Sequence, residues 1–260
     1  MQRGKQPPSP ALKRDAAKAR RPLVSRLGRK IERSLLPHIY IPARSADDWT
    51  QLLADPVKHW RTGYSARTLA HSWQDAGGFP KEVKEAFAGN EYLAGIQLLL
   101  ALPEHQVPLV GGSRPSQNDI WALARAGNEL VSIAVEGKVA EPFGPTLSEW
   151  LAEGSTGKAT RLAFLRRELN LNEELAGTIR YQLLHRTASA IIEAKRFGAP
   201  HAVMLVHSFS PSRDWLPDYE AFAKLLRAEN VINKVVSAGT RGGVHLHIGW
   251  VCGNEEYLSK

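Results

Sequence analysis

The sequence predicts a mixed α/β fold, and three observations carry that expectation. Two strand-like runs, Asp119-Ile-Trp-Ala-Leu-Ala-Arg125 and Leu130-Val-Ser-Ile-Ala-Val-Glu136-Gly-Lys138, flank Gly127-Asn128, the residue pair of a two-residue hairpin loop. A further run at 201–209 is apolar almost throughout, as a strand covered on both faces has to be. Between them lies helical periodicity at 172–197, with Leu175, Ile179, Leu183, Ala190 and Ala194 on one face. Hairpin, helix, buried strand, helix and closing strand make a central mixed sheet flanked by helices.

The elements follow in order. Residues 1–37 hold 11 Lys/Arg against 2 Asp/Glu, a charge of +9, with prolines at 7, 8, 10 and 22. That composition reads as a disordered basic tail able to hold phosphates. Residues 38–260 carry the other 23 basic and 24 acidic residues, −1 in all, and form one domain. The domain opens on a short strand at 39–41, followed by an N-terminal helical extension. Ser45 and Asp48 cap a first helix carrying Trp49, Leu52 and Leu53. A second helical region spans 59–74, is broken by Gly63 and ends at Gly77-Gly78. Pro80 opens a third, at 80–88. Residues 94–102 suit a strand or a helix equally. Pro103, Pro108 and Gly111-Gly112 read as the loop approaching the hairpin. Beyond the hairpin, Thr146 caps a short helix through Trp150 and Leu151. Helices follow at 158–169, 172–197 (stopped by Gly198) and 219–228, with a last strand at 244–251.

The hairpin places chemistry. With Gly127 and Asn128 as the loop, Ala126 faces Glu129 and Asp119 faces Glu136. Facing residues share one side of a sheet. Lys138, two residues beyond Glu136, lies on that side too. Val131, Ile133, Val135 and Val139 take the other face, while Ser132, Ala134, Glu136 and Lys138 suit packing against a helix with a polar site at its rim. Two facing carboxylates repel. A shared proton, a bound cation or the lysine must offset this. Two carboxylates converging beside an ammonium are what Mg²⁺-dependent phosphodiester hydrolysis needs.

The Asp-x16-Glu-x-Lys spacing on a hairpin resembles the PD-(D/E)XK, restriction-endonuclease-like, nuclease superfamily. The chain from about 39 to 250 also resembles an uncharacterised bacterial family assigned to that superfamily. The segments carrying this are Asp48-Trp49, His59-Trp-Arg-Thr-Gly-Tyr-Ser65, Ser116-Gln-Asn-Asp119, Val135-Glu-Gly-Lys-Val139 and Ile179-Arg-Tyr-Gln-Leu-Leu-His-Arg-Thr-Ala188. Asn118, not proline, precedes Asp119. The resemblance implies a restriction-endonuclease-like core in which Asp119 and Glu136 bind Mg²⁺ or Mn²⁺ and Lys138 assists the attacking water. It implies an upstream acid completing the metal shell, for which Glu104 is preferred to Glu91. It also implies a polar residue from the helix after the hairpin. Gln182 is that candidate, with Arg186 one turn on and His185 beside it. Nucleic acid is the expected partner.

Other readings stay open. The same fold without turnover would be a binding module for DNA or a protein. His245 and His247 share one strand face and form a pair able to ligate zinc, which suggests a third class, a hydrolase acting on a different substrate. In residues 59–65, Trp60 and Tyr64 suit either the core or the gripping of a nucleic-acid strand. No apolar stretch reaches the ~18 residues of a membrane span. The single cysteine, Cys252, fits a reducing, cytoplasmic setting and excludes a disulfide framework within one chain.

Overall fold

The computed structural model describes Met1 and residues 43–260. The expected basic tail at 1–37 and strand at 39–41 lie outside the described residues, apart from Met1. The described chain is mixed α/β. A single sheet holds β1 (Gln97–Val107), β2 (Ser116–Ala126), β3 (Glu129–Lys138), β4 (His201–Ser208), β5 (Lys234–Arg241) and β6 (Val244–Cys252). Its order is β1-β2-β3-β4-β6-β5. β1, β2 and β3 form an antiparallel meander, β4 runs parallel to β3 and β6 parallel to β4, and β5 closes the far edge antiparallel to β6.

Helices cover both faces. α1 (Pro56–His59), α2 (Ser65–Ala76) and α3 (Lys81–Ala88) precede the sheet. α4 (Leu147–Leu151), α5 (Thr156–Glu168) and α6 (Tyr181–Phe197) join β3 to β4, and α7 (Leu216–Leu225) lies between β4 and β5. Alternation along β3 divides the core in two. Val131, Ile133 and Val135 pack with Leu69 and Trp73 of α2 and Val83 and Phe87 of α3. Ala134 packs with Leu183, Leu184 and Ile191 of α6. Each of these helices buries residues three or four positions apart, the spacing that keeps one stripe facing the sheet. Gly77 and Gly198 end α2 and α6 in the left-handed region, at φ of +56° and +66°, where a glycine avoids the Cβ clash.

Several boundaries differ from the expectation. Of residues 94–102, those from Gln97 on form the start of β1, and Pro103 is not in a loop but inside that strand. β1 lies at a sheet edge, where proline's missing N–H removes no ladder bond. The loop to the hairpin starts at Pro108. The helix expected over 172–197 starts only at Tyr181. The preceding backbone has other partners: Leu147 N–H donates to Ile179 O (2.8 Å) and Ser148 N–H to Gly177 O (2.9 Å). The Arg166 guanidinium donates to the carbonyls of Leu171, Asn172 and Glu173. These tertiary bonds outweigh local helix preference. The first helix is a 3-10 turn, Ala46–Leu52, with the expected Ser45–Asp48 capping box. The helix expected at 219–228 sits three residues earlier. β5, a half-exposed edge strand interrupted by Gly239, has no strong period-2 pattern, and the sequence does not announce it. Among the described residues, no helix is long and apolar enough to cross a membrane.

Candidate active site

The hairpin register is the one that its loop implies. Ala126 pairs with Glu129, and the pairing runs evenly to Ile120 and Val135. Extending it by one residue sets Asp119 against Glu136, just beyond the last paired residues. Asp119 Oδ2 accepts the Gly137 N–H at 2.8 Å, which ties the carboxylate of β2 to the backbone of β3. On the other side of β2, Pro103 pairs with Ile120 and His105 with Asn118. Glu104 therefore stands opposite Asp119. Its φ of +53° interrupts the ladder there. Gln117 Nε2 donates to Glu104 Oε2 at 2.7 Å. Glu104, Asp119 and Glu136 thus form a row across three adjacent strands. Glu104 stands on a strand, beside Asp119, and not in the expected approach loop.

Helix α6 covers this row. Gln182 and Arg186, one turn apart, both reach Glu136. Gln182 Nε2 donates to Oε1 at 2.8 Å and Arg186 Nε to Oε2 at 2.6 Å. Lys138 Nζ also donates to Oε1, at 2.6 Å, and lies 4.9 Å from the Phe143 ring centre. Arg186 extends to within 3.8 Å of Asp119 Oδ1. Its other nitrogen donates to Ser116 Oγ at 3.3 Å, and that hydroxyl bonds His185 Nδ1 at 2.8 Å. The charge that offsets the facing carboxylates is therefore supplied by two cations, Lys138 and Arg186. Arg186 is the component that sequence reasoning undervalues. Its only sequence signal is the four-residue step from Gln182.

Burial makes these charges matter. The Glu136, Lys138, Arg186 and Asp119 side chains are 3%, 5%, 9% and 20% exposed. Burial pushes Glu136 upward, but Arg186 and Lys138 together outweigh it and hold its pKa at about 2. Asp119 is raised to about 7 by burial and then by the Glu136 charge, against Arg186 and Lys138. Glu104 is raised to about 8 by burial and by Asp119. Near neutral pH the row is one fixed anion beside two carboxyls that share protons readily. His185 is held well below its ordinary value by burial and by Arg186, and so is neutral.

The row lines a cavity of about 510 Å³ together with Lys58, His59, Tyr64 and Glu141. Glu141 ties two segments of this lining together. Its Oε1 accepts the Ser65 N–H at 2.8 Å, and its Oε2 the Val139 N–H at 3.2 Å. The 59–65 segment accordingly divides its roles: His59 and Tyr64 face the cavity, while half-buried Trp60 packs on the core with Arg67 over its ring.

The donor set suits a hard cation. Glu104 and Asp119 each spend one oxygen on a neutral hydrogen bond and keep the other. Among the described residues, Gln182 Oε1 is a buried oxygen with no hydrogen-bond partner. Oxygen-only ligation of this kind fits Mg²⁺ or Mn²⁺ better than a softer metal.

Residues 42–255 match a protein family described as a domain of unknown function (DUF6946). Neither the curated proteins nor the solved structures yield a match.

Proposed function

The chain belongs to the DUF6946 family, and we propose that it is a divalent-cation-dependent nuclease that hydrolyses phosphodiester bonds of nucleic acid. The observation that carries this reading is the meeting of Asp119, Glu136 and Lys138 on one face of a hairpin, beside Gln182, in the lining of a cavity. It is also the arrangement that the PD-(D/E)XK resemblance implies. Asp119 and Glu136, with Glu104 completing the set, would hold Mg²⁺ or Mn²⁺. A cation bound there polarises a phosphoryl oxygen and lowers the pKa of its water.

The chain's own residues supply the rest. Lys138 Nζ, buried and fixed against Glu136, orients the attacking water or stabilises charge developing on the phosphorus oxygens. Gln182 offers its unpartnered Oε1 to a water. Arg186 keeps Glu136 ionised, ready to bind a cation. Lys58, which lines the same cavity, brings positive charge to the phosphate backbone. The +9 tail at 1–37 adds sequence-independent affinity.

The test is turnover of single- and double-stranded DNA and RNA with Mg²⁺ or Mn²⁺, beside Lys138→Ala. Wild type is expected to cut at least one substrate only with a divalent cation. Lys138→Ala should lose about 10²- to 10⁴-fold. No cleavage of any of the four with either cation refutes the reading.

One observation favours a second reading. Both oxygens of Glu136 already carry hydrogen bonds, to Lys138, Gln182 and Arg186, as in a closed structural network. A binding module for DNA or a protein, with no turnover, would keep that network intact. Its binding would be indifferent to Mg²⁺, which separates the two readings.

A further inference from the structure

A second cluster of chemistry-bearing side chains lies on the other face of the sheet. β4 and β6 run parallel, with His201 beside His245 and Val203 beside His247. The strand period then puts His201, His245 and His247 on one face. Spacing in the sequence offers only the His245/His247 pair; the parallel register supplies the third histidine. One nitrogen from each ring lies within 4.8 Å of the others. The cluster is remote from the carboxylates. Val131 of β3 pairs with His201 and Lys138 with Ser208, seven residues further on, roughly 23 Å along the strand.

The hydrogen bonds define where each proton sits. Asn90 is held in one orientation: its Nδ2 donates to Val235 O at 3.1 Å and its Oδ1 accepts the Tyr92 N–H at 3.0 Å. Nδ2 therefore presents a donor to His247 Nδ1, 3.2 Å away. His247 must accept there and carry its proton on Nε2. That proton is given to His201 Nδ1, 3.2 Å off. His201 then holds its own proton on Nε2 and donates it to Glu129 Oε2 at 2.9 Å. His245 Nε2 is occupied by Ser237 Oγ at 2.8 Å, which leaves its Nδ1.

We propose that His201 Nδ1, His245 Nδ1 and His247 Nε2 bind Zn²⁺ in place of the proton shared between His201 and His247, with water in the fourth position. Two nitrogens of a tetrahedral zinc shell, each about 2.0–2.1 Å from the metal, lie roughly 3.3 Å apart. The His201–His247 separation already matches this. Glu129 and Ser237 are the outer partners that fix a ligating imidazole in its proper tautomer. An all-imidazole site selects zinc over Mg²⁺. Asn90, Tyr92 and Ser237, which contact the histidines, also border a cavity of about 660 Å³.

Asn90 sets the affinity. Zinc on His247 Nε2 moves that ring's proton to Nδ1, where Asn90 faces it with a second donor. The wild-type site is therefore weakened and exchangeable.

The experiment uses the full chain, stripped with chelator and titrated with Zn²⁺ alone, reading calorimetric binding and melting temperature. One zinc per chain and a rise in melting temperature at micromolar Zn²⁺ are expected, with no such rise at micromolar Mg²⁺. His201→Ala and His245→Ala should abolish both. His245 is the most exposed of the three, so its variant folds even if His201→Ala does not. Asp119→Ala should keep the zinc response, which separates this site from the carboxylate row. No uptake by wild type at about 100 µM, or uptake that survives His245→Ala, overturns the proposal.

Discussion

Arg186→Met is expected to destabilise the protein by about 3–5 kcal/mol, the usual cost of removing one partner from a buried ion pair. For a domain of this size that lowers the melting temperature by about 6–20 °C. The cause is what remains behind. Glu136, 3% exposed, would retain Lys138 and Gln182 but lose its 2.6 Å bond to the guanidinium. Asp119 would lose the cation that lies 3.8 Å from it. Methionine keeps most of the packing volume, so the loss reports charge. Adding Glu136→Gln should return part of the stability, since the stranded anion is gone. Saturating Mg²⁺ should also shrink the deficit if the carboxylates take a cation. Urea unfolding of wild type, the two single variants and the double variant decides this. An Arg186→Met protein within about 0.5 kcal/mol of wild type would show that Arg186 does not hold the row.

Asp119→Asn is expected to act in the opposite direction. It keeps an acceptor for the Gly137 N–H and deletes a carboxyl that the fold makes reluctant to ionise. The folded pKa of Asp119 is raised to about 7, above the value near 4 of an unfolded chain. The folded state thus binds the proton more tightly, and the stability this contributes is lost as pH rises from about 4 to about 7. Glu104, raised to about 8, extends the decline to that pH. Glu136, lowered to about 2, has the reverse sign: its contribution is present above about 4.5 and is lost as pH falls toward 2. The metal-free wild type should therefore be more stable near pH 5 than at pH 8. Between pH 5 and pH 8 the stability lost through Asp119 alone is on the order of 3 kcal/mol, at about 1.4 kcal/mol per pH unit of displacement. Asp119→Asn should flatten the decline between pH 4 and 7 and melt higher than wild type at pH 8. Mg²⁺ at ten times its dissociation constant should stabilise wild type by about 1.4 kcal/mol at pH 8, by mass action on the folded state. Asp119→Asn should lack that gain. Stability that is level from pH 5 to 8, with no response to Mg²⁺ or Mn²⁺, would remove the cation site.

What the chain's sequence determined by itself is local. Gly127-Asn128 admits only a tight loop, and a tight loop dictates which residues face each other, so the hairpin's own residues suffice to put Asp119, Glu136 and Lys138 on one side. The stops at Gly77 and Gly198 and the caps at Ser45 and Thr146 are equally local, since each depends on the backbone or side chain of one short segment. Tertiary structure decided what lies between distant segments. Glu104 meets Asp119 through the β1–β2 register, which follows a fourteen-residue separation with no tight turn to set it. Arg186 neutralises the row because α6 is laid across β3 by packing of its apolar stripe. The start of α6 at Tyr181 reflects backbone bonds to residues 145–148, which no pattern within 172–180 announces. His201 joins His245 and His247 only because two strands far apart in the chain lie side by side. A turn or a cap is chosen by energies that neighbouring residues supply. A pairing between distant strands is chosen by burial summed over the whole core, and no single segment carries that sum.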